Sequence, residues 1–159
     1  MAQSILSLWQ RASAWPGGAW LFAKAVAWRA PYFRTVGAQI ESLEAGRCVV
    51  SMRKRRAVLN HINTVHVIAI CNLLEFAMGV CAEASVPPHL RWIPKGMSLD
   101  YVAKAATDIS AVAEIATDDW APGERSVQVR AMDSHGTVVV EGEIRLWISE
   151  RPAQAKAKG

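Results

Sequence analysis

One long apolar segment, residues 65–84, constrains the fold more than any other part of the sequence. Asn63 or Thr64 can serve as the N-cap of a helix that begins near Val65, because both side chains accept hydrogen bonds from the free N–H groups of a first turn. Pro87 and Pro88 cannot continue a helix and would end it. The pattern therefore predicts one long helix that needs apolar surroundings.

Within residues 65–82 three polar side chains interrupt this apolar segment: His66, Asn72 and Glu75. Their presence favours the core helix of a globular domain over a membrane span. Glu75 stands between Leu74 and Phe76, so we expect it to be largely buried. A buried carboxylate without a partner stays protonated or costs several kcal/mol, so an acid at this position needs a structural or chemical reason.

Segments with the two-residue alternation of β-strands lie on both sides of the helix. Residues 36–43 and 47–52 flank a turn at Gly46, and four further strand-like segments follow residue 97. They read SLDYVAKA, ISAVAEIAT, RSVQVRAMD and TVVVEGEIRLWIS. Strands arranged around a single helix predict an α+β domain in which a mostly antiparallel, curved sheet wraps around one long central helix.

The N-terminal segment has a different composition. Four tryptophans, at positions 9, 15, 20 and 28, occur among alanines, and Pro16, Gly17 and Gly18 divide the segment into two short helical pieces. We expect a helical extension, residues 1–30, that buries its tryptophans against an apolar surface; contact with a membrane surface is the less favoured alternative, because cations are few. The domain itself would span residues 31–150, and residues 151–159 form a predicted disordered tail.

Charge and cysteine content limit the possible partners and compartments. The net charge is +4, but the last nine residues hold three of the 18 cations and no anion, which leaves 15 cations against 14 anions. This balance gives no support for nucleic-acid binding. Three cysteines are an odd number, and Cys71 and Cys81 on one helix would be too far apart for a disulfide, so a cytoplasmic location is expected.

The start of the central helix resembles a known signature. The stretch NHINTVHVIAICNLLEFAMG is similar to that of the hotdog-fold acyl-CoA thioesterases of the phenylacetic-acid-degradation type, with an Asn, a His that opens the central helix and an acid farther along it. Asn60, His66 and Glu75 occupy these positions. The resemblance implies a hotdog fold, hydrolysis of an acyl-CoA or related thioester without a cofactor, and a homodimer or a dimer of dimers.

The same resemblance implies roles for these residues. A backbone N–H at the helix N-terminus polarises the thioester carbonyl, Glu75 activates water or attacks the thioester, and Asn60 positions water or substrate. Such enzymes usually carry His-Gly-Gly where this chain has His66, Val67 and Ile68. Val67 or Ile68 can still donate the backbone N–H that binds the substrate carbonyl, but their β-branched side chains narrow the approach to the backbone. A hotdog protein that binds an acyl ligand without hydrolysing it is therefore the alternative.

The spacing of His66 and Glu75 has a consequence for assembly. They are nine residues apart, and at about 100° and 1.5 Å per residue they lie on opposite helix faces, roughly 13 Å apart along the axis. A site that uses both must take them from two chains, which predicts a homodimer with paired central helices. The alternative is a structural acid paired with Lys104 or Arg130, and a His66 that only satisfies a backbone group.

Further substrate contacts are predicted at more distant positions. Gly79 lies one helical turn after Glu75, where it could admit an acyl chain or a neighbouring helix. The basic run at residues 53–56, which ends in Arg56, and Lys95 could bind coenzyme A phosphates, although solvated cations at strand ends are equally compatible with the pattern. No pair of ligands has metal-binding spacing, so we expect no metal site.

Overall fold

The computed structural model describes residues 4–152. The first three residues of the predicted extension and residues 153–159 of the predicted tail lie outside the described residues. Within residues 4–152 the structure has three α-helices: α1 (Ile5–Ser13), α2 (Gly18–Arg29) and the central helix α3 (Val67–Ser85). Short 3-10 helices at Pro31–Thr35 and Arg56–Val58 precede β1 and follow β2 respectively, and the first of them packs against α3.

Six strands of the described chain form one sheet in the order β1-β2-β4-β5-β6-β3, and every neighbouring pair is antiparallel. The strands are β1 (Gln39–Glu44), β2 (Arg47–Met52), β3 (Leu90–Tyr101), β4 (Ile109–Glu114), β5 (Gly123–Asp133) and β6 (Val138–Glu150). The predicted α+β hotdog architecture, a curved antiparallel sheet around one long helix with helices before it, is confirmed.

Helix α3 packs on the concave face of this sheet. Its sheet-facing side consists of Leu73, Leu74, Ala77 and Cys81, all fully buried. By length and composition α3 is the one described helix that could cross a membrane, and more than half of its most apolar stretch is buried inside the protein. The face that carries Cys71 and Glu75 is only partly covered.

The strand alternation places its apolar residues on the same face. Cys48, Val50 and Met52 of β2 are buried, as predicted, and β6 repeats the pattern with Ile144, Leu146 and Ile148. In β6, Gly142 has φ 151°, and a Cβ there would lie 2.1 Å from the carbonyl oxygen of Ser98. A glycine is therefore required at this position for β3 to reach its neighbour.

The central helix begins two residues later than predicted. Residues 60–64 form a turn in which Asn63 has a positive φ of 63°, so the predicted N-caps Asn63 and Thr64 are wrong. His66 is the N-cap instead, and the helix ends at Ser85, just before the two prolines. Strand β3 also begins earlier than predicted, at Leu90, because an edge strand with a bulge tolerates Pro94.

The prediction that all four N-terminal tryptophans are buried is wrong. Trp9 is only 6% exposed and contacts Phe22 edge to face, with ring centroids 5.4 Å apart. Trp15, Trp20 and Trp28 are each at least half exposed. Helix α2 approaches β1 through the small, buried Ala23, and Trp20 and Trp28 line an open groove beside this contact instead of entering the core.

Candidate active site

A turn held by Asn60 leads into α3. The Asn60 Oδ1 accepts hydrogen bonds from the backbone N–H groups of Ile62 and Thr64, both at 3.1 Å. Its Nδ2 donates to the Thr64 hydroxyl at 2.7 Å. The amide of Asn60 therefore fixes the shape of the loop in this structure, and its role in positioning water or substrate stays a prediction.

The N-terminus of α3 presents one free backbone donor. The His66 Nδ1 accepts the N–H of Ile68 at 3.1 Å, so Nδ1 is unprotonated and a neutral ring carries its proton on Nε2. In the described part of the chain, the N–H of Val67 has no partner. Of the two donors predicted from the sequence, Val67 is thus the one available to a ligand, at the positive end of the helix dipole.

Glu75 is partly buried, less than the sequence suggested. Its carboxylate makes no hydrogen bond or ion pair within residues 4–152. Arg130, one of the two predicted structural partners, pairs with Glu114 at 3.4 Å, and Lys104 is exposed to solvent. The reading of Glu75 as a structural acid held by either cation is therefore wrong.

Glu75 and the helix N-terminus do not meet within one chain. Glu75 lies nine residues beyond the N-cap His66, which places it roughly 13 Å along the axis and on the opposite side of the helix. Ile68 and Cys71 lie on the Glu75 side, and Ile68 is 55% exposed. This arrangement leaves the carboxylate on a face of α3 that neither the sheet nor α1 and α2 fully cover.

Two surface grooves meet at the N-terminus of α3, and His66 lines both. The first, of about 340 Å³, is called here the Asn72 groove. The second, of about 440 Å³, contains Asn60 and Val67 and is called the Asn60 groove. From the sequence, Asn72 is predicted only as a polar interruption of the apolar helix, and that interruption is the signal that could have indicated its place in this site.

Gly79 lines a third and larger groove, of about 640 Å³, between α1, α2 and α3. Its walls, apart from Arg29 and Glu83, are apolar and include Phe22, Phe76 and Trp92. A Cβ at position 79 would lie 3.6 Å from the Trp92 ring, an ordinary contact. We call this space the Gly79 groove.

The predicted phosphate-binding cations lie apart from each other. Residues 53–56 are exposed beside the Asn72 groove, and Arg55 donates to the carbonyl oxygen of Thr35 at 2.7 Å. Lys95 pairs with Glu124 at 3.1 Å and lies over the Trp147 ring. Because β2 and β3 are four strand spacings apart, roughly 19 Å of sheet, one chain does not bring Lys95 together with Arg56.

The described residues hold no cluster of three or more His, Cys, Asp or Glu side chains suited to a metal. The three cysteines are free thiols. Burial raises the pKa of the Cys81 thiol to about 11, and it raises that of Cys48 further. Neither thiol is therefore prepared to act as a nucleophile at neutral pH.

Solved structures with this architecture include several thioesterases. A crystal structure named genomics APC5556 is 37% identical in sequence, with a TM-score of 0.81 over 94% of this chain and 100% of its own. PA5026 of Pseudomonas aeruginosa, described as a protein of unknown function and probable thioesterase, is 21% identical, with a TM-score of 0.73 over 79% of this chain and 91% of its own.

A thioesterase family protein from Silicibacter pomeroyi is 17% identical, with a TM-score of 0.70 over 81% of this chain and 96% of its own. No curated protein matches the sequence. The chain thus has the hotdog fold shared by these thioesterases. It belongs to the family described as domain of unknown function DUF4442, whose model matches residues 18–148.

Proposed function

We propose that this protein hydrolyses an acyl-CoA-type thioester at a site formed across a dimer interface. The observation that carries the proposal is the pair of unpartnered groups on α3. The N–H of Val67 is free at the helix N-terminus, and the carboxylate of Glu75 is free on an apolar, incompletely covered helix face. A free hydrogen-bond donor and a free carboxylate at separate places on one helix can form a complete site when two such helices from different chains pair. Such a site, with groups from both chains, is called here a trans site.

In this site the thioester carbonyl oxygen accepts the N–H of Val67, where the helix dipole stabilises the negative charge that develops on it. Glu75 of the partner subunit either takes a proton from water as it attacks the carbonyl carbon, or attacks it directly. In the first case the C–S bond breaks and the thiolate takes up the proton that Glu75 received from water. In the second case the thiolate leaves and takes a proton from water, and a water molecule then hydrolyses the anhydride and frees Glu75. His66 caps the helix and Asn60 shapes the preceding loop, so both hold the N–H in place.

A homodimer, alone or as a dimer of dimers, supports this chemistry. The uncovered face of α3 carries exposed Ile68, and β3 is a twelve-residue strand with one free edge that exposes Ile93 and Tyr101. Apolar side chains and free strand edges favour association between copies. Sedimentation at micromolar concentration should give twice 17.4 kDa or a larger even multiple; a mass of one chain would exclude the trans site.

The acyl chain is placed in the Gly79 groove of the subunit that supplies Glu75, because Gly79 lies one turn beyond that carboxylate and the groove is mainly apolar. Gly79→Leu would fill this space and should shift the preference toward shorter acyl groups. Gly79→Ala is the matched control, since its Cβ would make only an ordinary contact with Trp92. An unchanged chain-length profile in Gly79→Leu would remove the groove from the site.

The anionic end of the thiol carrier is assigned to the cations at residues 53–56. They are exposed beside the Asn72 groove and close to the helix N-terminus. Lys95 is less suited to a phosphate, because Glu124 already neutralises it. No cofactor is required by this scheme, and a cytoplasmic location would match the supply of coenzyme A thioesters.

The test is a hydrolysis screen with short, medium, long and aromatic acyl-CoAs, on wild type and on Glu75→Gln. Gln keeps the size of the side chain but cannot accept a proton or form an acyl bond. We expect the substitution to lower kcat at least about a hundredfold with the fold and binding retained. Full activity in Glu75→Gln would contradict the catalytic assignment.

A non-catalytic acyl-binding protein is the second candidate. It is favoured by Ile68, whose side chain is 55% exposed beside the helix N-terminus at a place where related thioesterase sequences have glycine. Binding of acyl-CoA without hydrolysis of any member of the screen would establish this alternative. Hydrolysis that depends on Glu75 would exclude it.

A further inference from the structure

The mechanism proposed above does not use Asn72, the buried polar side chain of α3. Asn72 is 7% exposed, the one buried polar residue in the described core. Its Nδ2 donates to the Thr35 hydroxyl at 3.1 Å. Its Oδ1 is buried and, in the described part of the chain, has no hydrogen-bond partner.

The neighbouring bonds fix which atom of the amide is free. The Thr35 hydroxyl donates its single hydrogen to the carbonyl oxygen of Tyr32 at 2.8 Å, so toward Asn72 it can only accept. The atom of Asn72 that faces Thr35 must therefore be the NH₂ group. The unpartnered atom is therefore the carbonyl oxygen, which can accept a hydrogen bond from an N–H or O–H donor.

The Asn72 groove provides the space for such a ligand. Tyr32, Thr35 and Ala57 form one wall, and His66, Ile68 and Asn72 of the α3 region form the other. Helical side chains lean toward the N-terminus of their helix. The amide of Asn72 is thus directed toward the first turn of α3, the end of the helix at which the N–H of Val67 would bind the thioester carbonyl.

We propose that Asn72 Oδ1 accepts a hydrogen bond from the cysteamine amide N–H of the pantetheine arm, which makes Asn72 a substrate-positioning residue. This inference rests on the proposed function. In a pantetheine thioester this N–H is separated from the sulfur by two methylene groups, so it reaches Asn72 when the carbonyl lies at the helix N-terminus. The arm then runs outward past Ala57 toward Arg56 and Arg34, exposed neighbours of the groove walls.

The test compares two small thioesters that differ in one group. Hexanoyl-N-acetylcysteamine carries the amide N–H, and the hexanoyl thioester of 2-acetoxyethanethiol has an ester oxygen in its place. We expect wild type to show a KM about tenfold lower for the amide, with similar kcat, because the arm is held equally in ground and transition states. Equal KM values in wild type would overturn the proposal.

Asn72→Leu removes the acceptor while keeping the volume. We expect the Asn72→Leu variant to show equal KM values for the two thioesters. We expect its melting temperature to equal that of wild type, because an apolar isostere replaces an unsatisfied acceptor. An amide preference that persists in Asn72→Leu would also overturn the assignment. The comparison of the two thioesters in wild type needs no variant, so it can overturn the proposal even where Asn72→Leu fails to fold.

Binding of S-hexyl-coenzyme A, a thioether that cannot be hydrolysed, separates this inference from the proposed function. Weaker binding in Asn72→Leu by calorimetry, with no hydrolysis in wild type, would support the Asn72 contact and contradict the hydrolase. Hydrolysis with no preference for the amide thioester would support the hydrolase and contradict the Asn72 contact.

Discussion

Val67→Pro is the substitution that most selectively removes the proposed oxyanion donor. Val67 is the first residue of α3, a position where proline is favoured, and its N–H has no partner within the described residues. His66, with φ −65° and ψ 130°, already has the extended conformation that proline requires of its predecessor. We therefore expect a loss of stability well below the roughly 3 kcal/mol of a proline inside a helix.

The catalytic effect should be much larger than the structural one. Loss of a single oxyanion donor lowers kcat by about 10²–10³, or about 2.7–4 kcal/mol. Val67→Ala is the control, because it keeps the N–H and widens the approach to the backbone. Thiol release from an acyl-CoA, followed with a chromogenic disulfide, measures both variants. If folded Val67→Pro retains activity within about tenfold of Val67→Ala, the helix N–H is not the oxyanion donor.

Three further outcomes are expected. Trp9→Ala should destabilise the fold by about 3–5 kcal/mol in denaturant titrations, whereas Trp15→Ala, at an exposed position, should change stability by less than about 0.5 kcal/mol; equal effects would contradict the packing of α1. Replacing residues 53–56 with Ser should raise KM at low salt and leave kcat unchanged, and an unaltered KM would separate these cations from the substrate. Burial holds the pKa of Cys81 at about 11 and that of Cys48 higher, against an ordinary 9.0. The two protonated thiols therefore contribute their full stabilisation below pH 9, and this contribution falls as pH rises toward 11, by about 1.4 kcal/mol per pH unit per thiol. A Cys48→Ala/Cys81→Ala variant with the same alkaline melting profile as wild type would contradict this.

The fold could be predicted because its signals are local and repeated. The alternation in β2 and β6 and the apolar length of α3 each identify an element, and their order identifies the architecture. The start of α3 was misplaced because Asn63 and Thr64 are better N-caps by propensity than His66. A tertiary contact prevents the earlier start. The backbone N–H of Val65 donates to the carbonyl oxygen of Ala105, which holds the chain extended up to the first residue of the helix.

The candidate site was only partly predictable. Glu75 was identified because an acid within an apolar run is conspicuous, yet its lack of a partner could be seen only in the structure. Asn72 was missed as a site residue, because its significance depends on Thr35, 37 positions away in sequence. The sequence also could not show that three tryptophans stay exposed, since burial depends on which face of α2 meets β1.

The central claim, that each site combines the helix N-terminus of one chain with Glu75 of another, is tested most directly with a mixed dimer. Glu75→Gln and Val67→Pro chains carrying different affinity tags are coexpressed, and the heterodimer is isolated through both tags. One of its two sites has both groups intact, and the other has neither, so we expect about half the wild-type activity per dimer although each homodimer is nearly inactive. A heterodimer no more active than the two homodimers would contradict the trans site.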